Sequence, residues 1–237
     1  MRRLVRRSAV LSAIGLVLAA CSLVGRGIDP GPDGARYRCT DFPFDPRIVD
    51  LQPGTAERND DPRAAALRAH LQEPGEPGLL PGSGWHLVGS DANRAEFIAK
   101  SINGYASVSL ERSDADVWAV TSWGDCEPAL VMPGGSPAAD WELALDEAPN
   151  RTSTSITVLV SERSCASGKP PDGRIVGPWI VVEARVIRIA FGVTPLPGVQ
   201  ECPGSPAARV VVDLGEPMGD RQLSDFGIWP PINESAE

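Results

Sequence analysis

Five cysteines are the most reactive side chains in this 237-residue chain, and their placement separates one from the other four. Cys21 closes an apolar run near the N-terminus; Cys39, Cys126, Cys165 and Cys202 are scattered widely through the rest. No two of them have the Cys-x-x-Cys spacing from which tetrahedral zinc sites are built, so no metal is expected. An even number of thiols in an exported chain reads instead as two disulfides, and four cysteines allow three pairings. Cys165 and Cys202 bracket a strand pair and can lie side by side, which favours joining them. Cys39 and Cys126 are then left to pin the incoming N-terminal segment to the first sheet. Loop closure assigns about 4 kcal/mol to the shorter ring and slightly more to the longer.

Other reactive groups do not assemble into a site on sequence grounds. Gly134-Gly135-Ser136-Pro137-Ala138 approaches the Gly-x-Ser-x-Gly elbow of hydrolases, but lacks the last glycine and has proline after the serine. Ser83 and His86 are close in sequence, yet a catalytic triad requires convergence in space that spacing does not supply. No Ser-x-x-Lys occurs. The only histidines are His70 and His86, without metal-ligand spacing, and His70 reads as a solvated helix residue. Asp114 and Asp116 could face a calcium ion, but their turn lacks the glycine and the later glutamate of a calcium loop. Asp140, Glu142, Asp146 and Glu147 flank Trp141 and could mimic a glycosidase carboxylate pair, but acids are abundant here and chance explains the cluster. The reading is a chain with no catalytic residue and no cofactor. Six tryptophans among thirteen aromatics are an unusual weighting. Core packing is the default role for Trp85, Trp118, Trp123, Trp141 and Trp179, and a shared exposed face would instead suggest a sugar- or peptide-binding surface.

The N-terminus explains the isolation of Cys21. Arg2, Arg3, Arg6 and Arg7 precede an apolar run, Val10–Ala20, too short to anchor a chain across a bilayer. It ends in Leu18-Ala19-Ala20-Cys21, which resembles the lipobox of bacterial lipoproteins at all four positions. The resemblance implies cleavage after Ala20 and a diacylglyceryl group on the Cys21 sulfur, placing the remainder on the extracytoplasmic face of the cell membrane. Two or three acyl chains hold firmly, at about 0.8 kcal/mol per buried CH₂. Loss of residues 1–20 removes four arginines and no acid, taking the formal charge from −9 to −13. Such acidity argues against a nucleic-acid partner and against lying on anionic lipid. The next stretch, residues 21–36, is rich in glycine and reads as a flexible linker with a reach of roughly 20 Å.

The fold class expected is mainly β, with antiparallel, sandwich-like sheets and one N-terminal helix. Asp60 or Asp61 can cap that helix, Pro62 suits its first turn, Leu67 and Leu71 share a face, and Pro74-Gly75 ends it. Strands are expected at 85–89, 96–102, 117–123, 141–145, 179–183, 186–193 and 209–214. Ala106, Val108 and Leu110 alternate with polar residues, which predicts one buried and one wet face, and Asn103-Gly104 is the favoured pair for the hairpin turn before them. Ile156, Val158 and Val160 repeat that pattern, and Ile187, Ile189, Phe191 and Val193 share a face. The division expected is a helix-plus-β domain at 37–148, a β domain or second sheet at 149–226, and a loose tail at 227–237.

Several segments carry a second resemblance: Trp123-Gly124-Asp125-Cys126, Glu162 to Gly168, Gly177-Pro178-Trp179, Glu201-Cys202-Pro203-Gly204 and Val212 to Arg221. In this order, over roughly residues 61–225, the chain resembles uncharacterised exported proteins and lipoproteins of high-GC Gram-positive bacteria. The likeness supports pairing Cys165 with Cys202 and assigns no activity. The leading expectation is a non-enzymatic envelope lipoprotein that binds a protein or glycan partner or serves a structural role. The competing expectations are a cell-envelope hydrolase and a ligand-binding lipoprotein serving a transporter.

Overall fold

The structure is a computed structural model that describes residues 35–58, 60–73 and 80–234. The leader, Cys21 and the linker up to residue 34 lie outside the described residues, as do the last three residues. The chain is mainly β, with one α-helix and two disulfides. Among the described residues no helix is long and apolar enough to cross a membrane.

Helix α1 (Pro62–His70) forms where expected: the Asp61 carboxylate accepts the Arg63 N–H at 2.8 Å, and Pro62 occupies the first turn. Ala64 and Leu67 are its buried positions, and both face a four-stranded antiparallel meander. Its strands, named by chain order after a short β1 (Tyr37–Arg38), are β2 (His86–Ser90), β3 (Arg94–Ser101), β4 (Gly104–Arg112) and β5 (Trp118–Cys126). Ala95, Phe97 and Ala99 from β3 and Ala106, Val108 and Leu110 from β4 pack beneath the helix. The opposite face, expected to be wet, is covered over part of its length: Ser107 is buried and Ser109 half-buried, while Glu111 is exposed. Phe44 and Val49, from the segment that follows Cys39, cover Ile98 and Tyr105 and form a second apolar cluster. β3 is therefore buried on both faces from Ala95 to Ala99. The β3–β4 turn also differs by one residue from the expected one. Ile102 and Asn103 form it at negative φ, and Gly104 follows at φ 125°, so the unusual backbone falls on the glycine alone.

The chain then runs through β6 (Ala129–Leu130) into a seven-stranded sheet. Its strands are β7 (Ala138–Leu143), β8 (Ser155–Ser161), β9 (Ile175–Val182), β10 (Val186–Val193), β11 (Ala208–Asp213), β12 (Gln222–Asp225) and β13 (Ile232–Glu234). The order is β11-β8-β7-β10-β12-β13, with β9 on the other side of β10. Ile187, Ile189, Phe191 and Val193 share the main core with Trp141, Val158, Val160 and Val212. Three features depart from the sequence reading. β7 belongs to the second sheet, where Ala139 pairs with Phe191 and Trp141 with Val160, so the sheets divide before residue 138 and not at 148. β12 runs parallel to β10, in a sheet expected to be antiparallel throughout, because the chain passes through β11 before returning beside it. Residues 227–234 are not a loose tail: β13 pairs with β12, and Ile228 bridges to Ala129. The proline pair at 230–231 masked that strand, while the apolar Ile228 and Trp229 give it something to bury.

The last segment also joins the two sheets. β1 pairs with β6, and the buried Tyr37 hydroxyl donates to the Phe226 carbonyl at 3.0 Å. The Trp229 N–H donates to the Pro128 carbonyl at 2.9 Å, and its ring meets that of Tyr37 edge-on at 5.6 Å. Trp229 packs against the clusters on both sides of this junction. The disulfides are Cys39–Cys126 and Cys165–Cys202, the expected pairing. The first clamps the covering segment to the end of β5. The second ties the β8–β9 loop to the β10–β11 loop, where the Ser167 N–H also donates to the Glu201 carbonyl at 2.9 Å.

Candidate functional site

An open recess of about 780 Å³ lies at the end of the first sheet, between the β2–β3 and β4–β5 turns. Its wall holds Asp91, Asn93, Arg94, Glu111, Arg112, Ser113, Asp114 and Asp116. The turns form for local reasons. The Asp91 carboxylate accepts the N–H groups of Asn93 and Arg94 at 2.9 and 2.8 Å, and the Asp116 N–H donates to the Ser113 carbonyl at 2.9 Å. Those donors, with the Arg94 guanidinium, hold the Asp91 carboxyl below its usual range. Arg94 is shared between Asp91 and Asp41, and Arg112 engages Asp116. Asp91 and Asp116 are thus each matched by an arginine within the recess. Asp114 and Asp116 sit here, but Asp116 is taken by Arg112. No group of three or more metal-type ligands occurs among the described residues.

The remaining candidates do not converge. His86 is fully buried in β2, and burial holds its basicity below the usual imidazole value, partly offset by the Leu51 backbone. Ser83 is exposed and Ser136 lies far along the chain, its hydroxyl 3.5 Å from that of Thr194, so neither is paired with a histidine. His70 is partly buried, with Nδ1 3.6 Å from Glu73. Of the carboxylates around Trp141, Asp140 faces Arg163 at 3.5 Å, and Asp146 and Glu147 are both held by Arg209 at about 3 Å. Glu147 also accepts the Thr157 hydroxyl, which together with Arg209 keeps its carboxyl low. These acids face arginines rather than one another. Trp85 and Trp141 are buried, their N–H groups donated to the Pro81 and Ile189 carbonyls. Trp118 and Trp123 pack against the helix-side core, and Trp179 and Trp229 against the junction. The tryptophans serve packing, and none lines the recess.

Three buried carboxylates escaped the sequence reading: Asp225, whose Oδ1 accepts the Gly227 N–H at 2.7 Å, and the loop-holding Glu96 and Glu162. Glu96 is 2% exposed, under the segment after Cys39; burial raises its pKa, partly offset by hydrogen bonds from Thr40 and from the backbone of Phe42 and Asp41. Phe42 lies directly over Gly89, where a Cβ would meet the ring at 2.4 Å. Glu162, in the segment before Cys165, is also buried, and it faces Arg174 at 2.7 Å. Arg174 in turn donates to the Thr194 and Pro170 carbonyls. Both glutamates hold loops in place. No signal in the chain marks Glu96, because what covers it is more than fifty residues away in sequence. Glu162 is detectable only through its closeness to a disulfide cysteine.

Comparisons with family models, with curated proteins and with solved structures find no match to this chain.

Proposed function

We propose that this chain is a lipid-anchored protein on the extracytoplasmic face of a bacterial cell membrane, acting there by binding or as a structural component. One observation carries the reading: the four cysteines after Cys21 pair completely into two disulfides, leaving a single thiol, at Leu18-Ala19-Ala20-Cys21. Paired sulfurs persist in oxidising compartments, and a lone cysteine after small residues at the end of an apolar leader is where a lipid would be attached. The resemblance to exported proteins of high-GC Gram-positive bacteria points the same way. A folded acidic body on a short spacer suits presentation to an envelope protein or glycan, with the charged recess at residues 91–94 and 111–116 as the face for a polar group.

Mass spectrometry of the N-terminal peptide from native material tests the reading. The expected species begins at Cys21 and carries a diacylglyceryl thioether, and Cys21→Ser leaves the leader uncleaved. An intact leader or an unmodified Cys21 in wild-type material would overturn it.

A further inference from the structure

β11 ends the second sheet and has one neighbour, β8. The Leu214 N–H donates to the Thr154 carbonyl at 2.8 Å, which sets the phase of the ladder. Hydrogen-bonded pairs alternate along antiparallel strands. Ala208, Val210 and Val212 therefore turn their N–H and C=O groups toward β8, and Arg209, Val211 and Asp213 turn theirs away. The outward groups have no backbone partner among the described residues. Exposed edges are usually blunted by lysine, proline or a bulge; β11 has none of these, and Val211 is 70% exposed.

Residues 208–214 read Ala-Arg-Val-Val-Val-Asp-Leu, a run symmetric in polarity about Val211 and opposite in charge at its two ends. We propose that β11 pairs with β11 of a second copy of this chain, antiparallel about a twofold axis at Val211, so that two seven-stranded sheets become one. In this register Val211 faces its own counterpart, Arg209 faces Asp213 of the second copy, and Val210 faces Val212. The pairs formed by residues 209, 211 and 213 are the ones whose N–H and C=O groups point outward, so each exchanges two hydrogen bonds. Arg209 meets Asp146 and Glu147 through Nη2, which leaves Nε and Nη1 for the new carboxylate. Asp213 uses Oδ1 for the Gly215 N–H and keeps Oδ2. A strand from an unrelated partner would have no need of this internal symmetry. The net acidity of the chain opposes association at long range, and physiological salt screens it beyond about 8 Å.

Sedimentation equilibrium of the purified full chain, up to about 1 mM and at physiological ionic strength, tests the pairing. The expected result is a monomer–dimer equilibrium. Val211→Pro removes an outward N–H while sparing the ladder to β8, and is expected to abolish the dimer with little change in monomer melting. Val211→Lys, which keeps every backbone donor and sets like charges across the axis, is expected to do the same and serves should the proline variant fail to fold. Arg209→Asp and Asp213→Arg are each expected to be monomeric alone. Mixed in equal amounts they are expected to form a heterodimer, because each introduced charge then meets its opposite. A wild-type chain that stays monomeric, a dimer that survives both Val211 variants, or a mixture that fails to associate would overturn the proposal.

Discussion

His86 and Glu96 are hidden almost completely in the first sheet, and burial moves their proton affinities in opposite directions. In both cases the charged form is disfavoured. For His86 the folded-state value is depressed, so its contribution to stability is complete above the unfolded imidazole value of about 6.5 and is lost as pH falls below it. For Glu96 the folded-state value is raised, so its contribution is complete below the unfolded carboxylate value of about 4.3 and is lost as pH rises through the folded value. His86→Leu is expected to flatten the acid side of the stability profile and to cost little at neutral pH, because the neutral ring gives up only its contact with the Leu51 backbone. Glu96→Gln is expected to flatten the neutral side while keeping an acceptor for Phe42. Glu96→Ala should cost about 2 kcal/mol by stranding buried donors. Urea denaturation across pH 4 to 8 measures all three. A strand position for His86 is legible in the sequence, but its burial is not. Glu96 reads as a polar strand residue until the chain after Cys39 is laid over it.

At the scale of elements, local rules succeed where local forces dominate. Asp61, Pro62 and the Leu67 face specify α1, and Asp61→Ala is expected to lower stability by about 1 kcal/mol in thermal unfolding, the usual cost of losing an N-cap. The alternation of Val158 and Val160, and of Ile187, Ile189 and Phe191, places β8 and β10 to within a residue. Strands without their own apolar pattern are missed. β1 and β6 are two residues each, and β12 (Gln222–Asp225) is polar at three of four positions, yet its Leu223, Ser224 and Asp225 are buried. Pairing with β10 and β13, not side-chain periodicity, makes β12 a strand.

For the whole molecule, the junction between the sheets decides whether they behave as one unit. Trp229 is central to it, sharing packing with Tyr37 on one side and with the Tyr105 cluster on the other. Trp229→Ala is expected to cost about 3 kcal/mol and to split a single unfolding transition into two by calorimetry, the C-terminal sheet and the disulfide-clamped N-terminal sheet melting separately. One sharp transition in this variant would mean that the β1–β6 pair and the Tyr37 hydrogen bond suffice for coupling. The sequence by itself determined where the helix and the long strands lie and that its four later cysteines are suited to two bridges, because caps, turns and period-two alternation act over a few neighbouring residues. Only the tertiary structure decided which strand runs parallel, which sheet claims β7, which carboxylates are buried and which edge stays open. Each of those depends on segments far apart in the chain meeting at one surface, and no local pattern records that meeting.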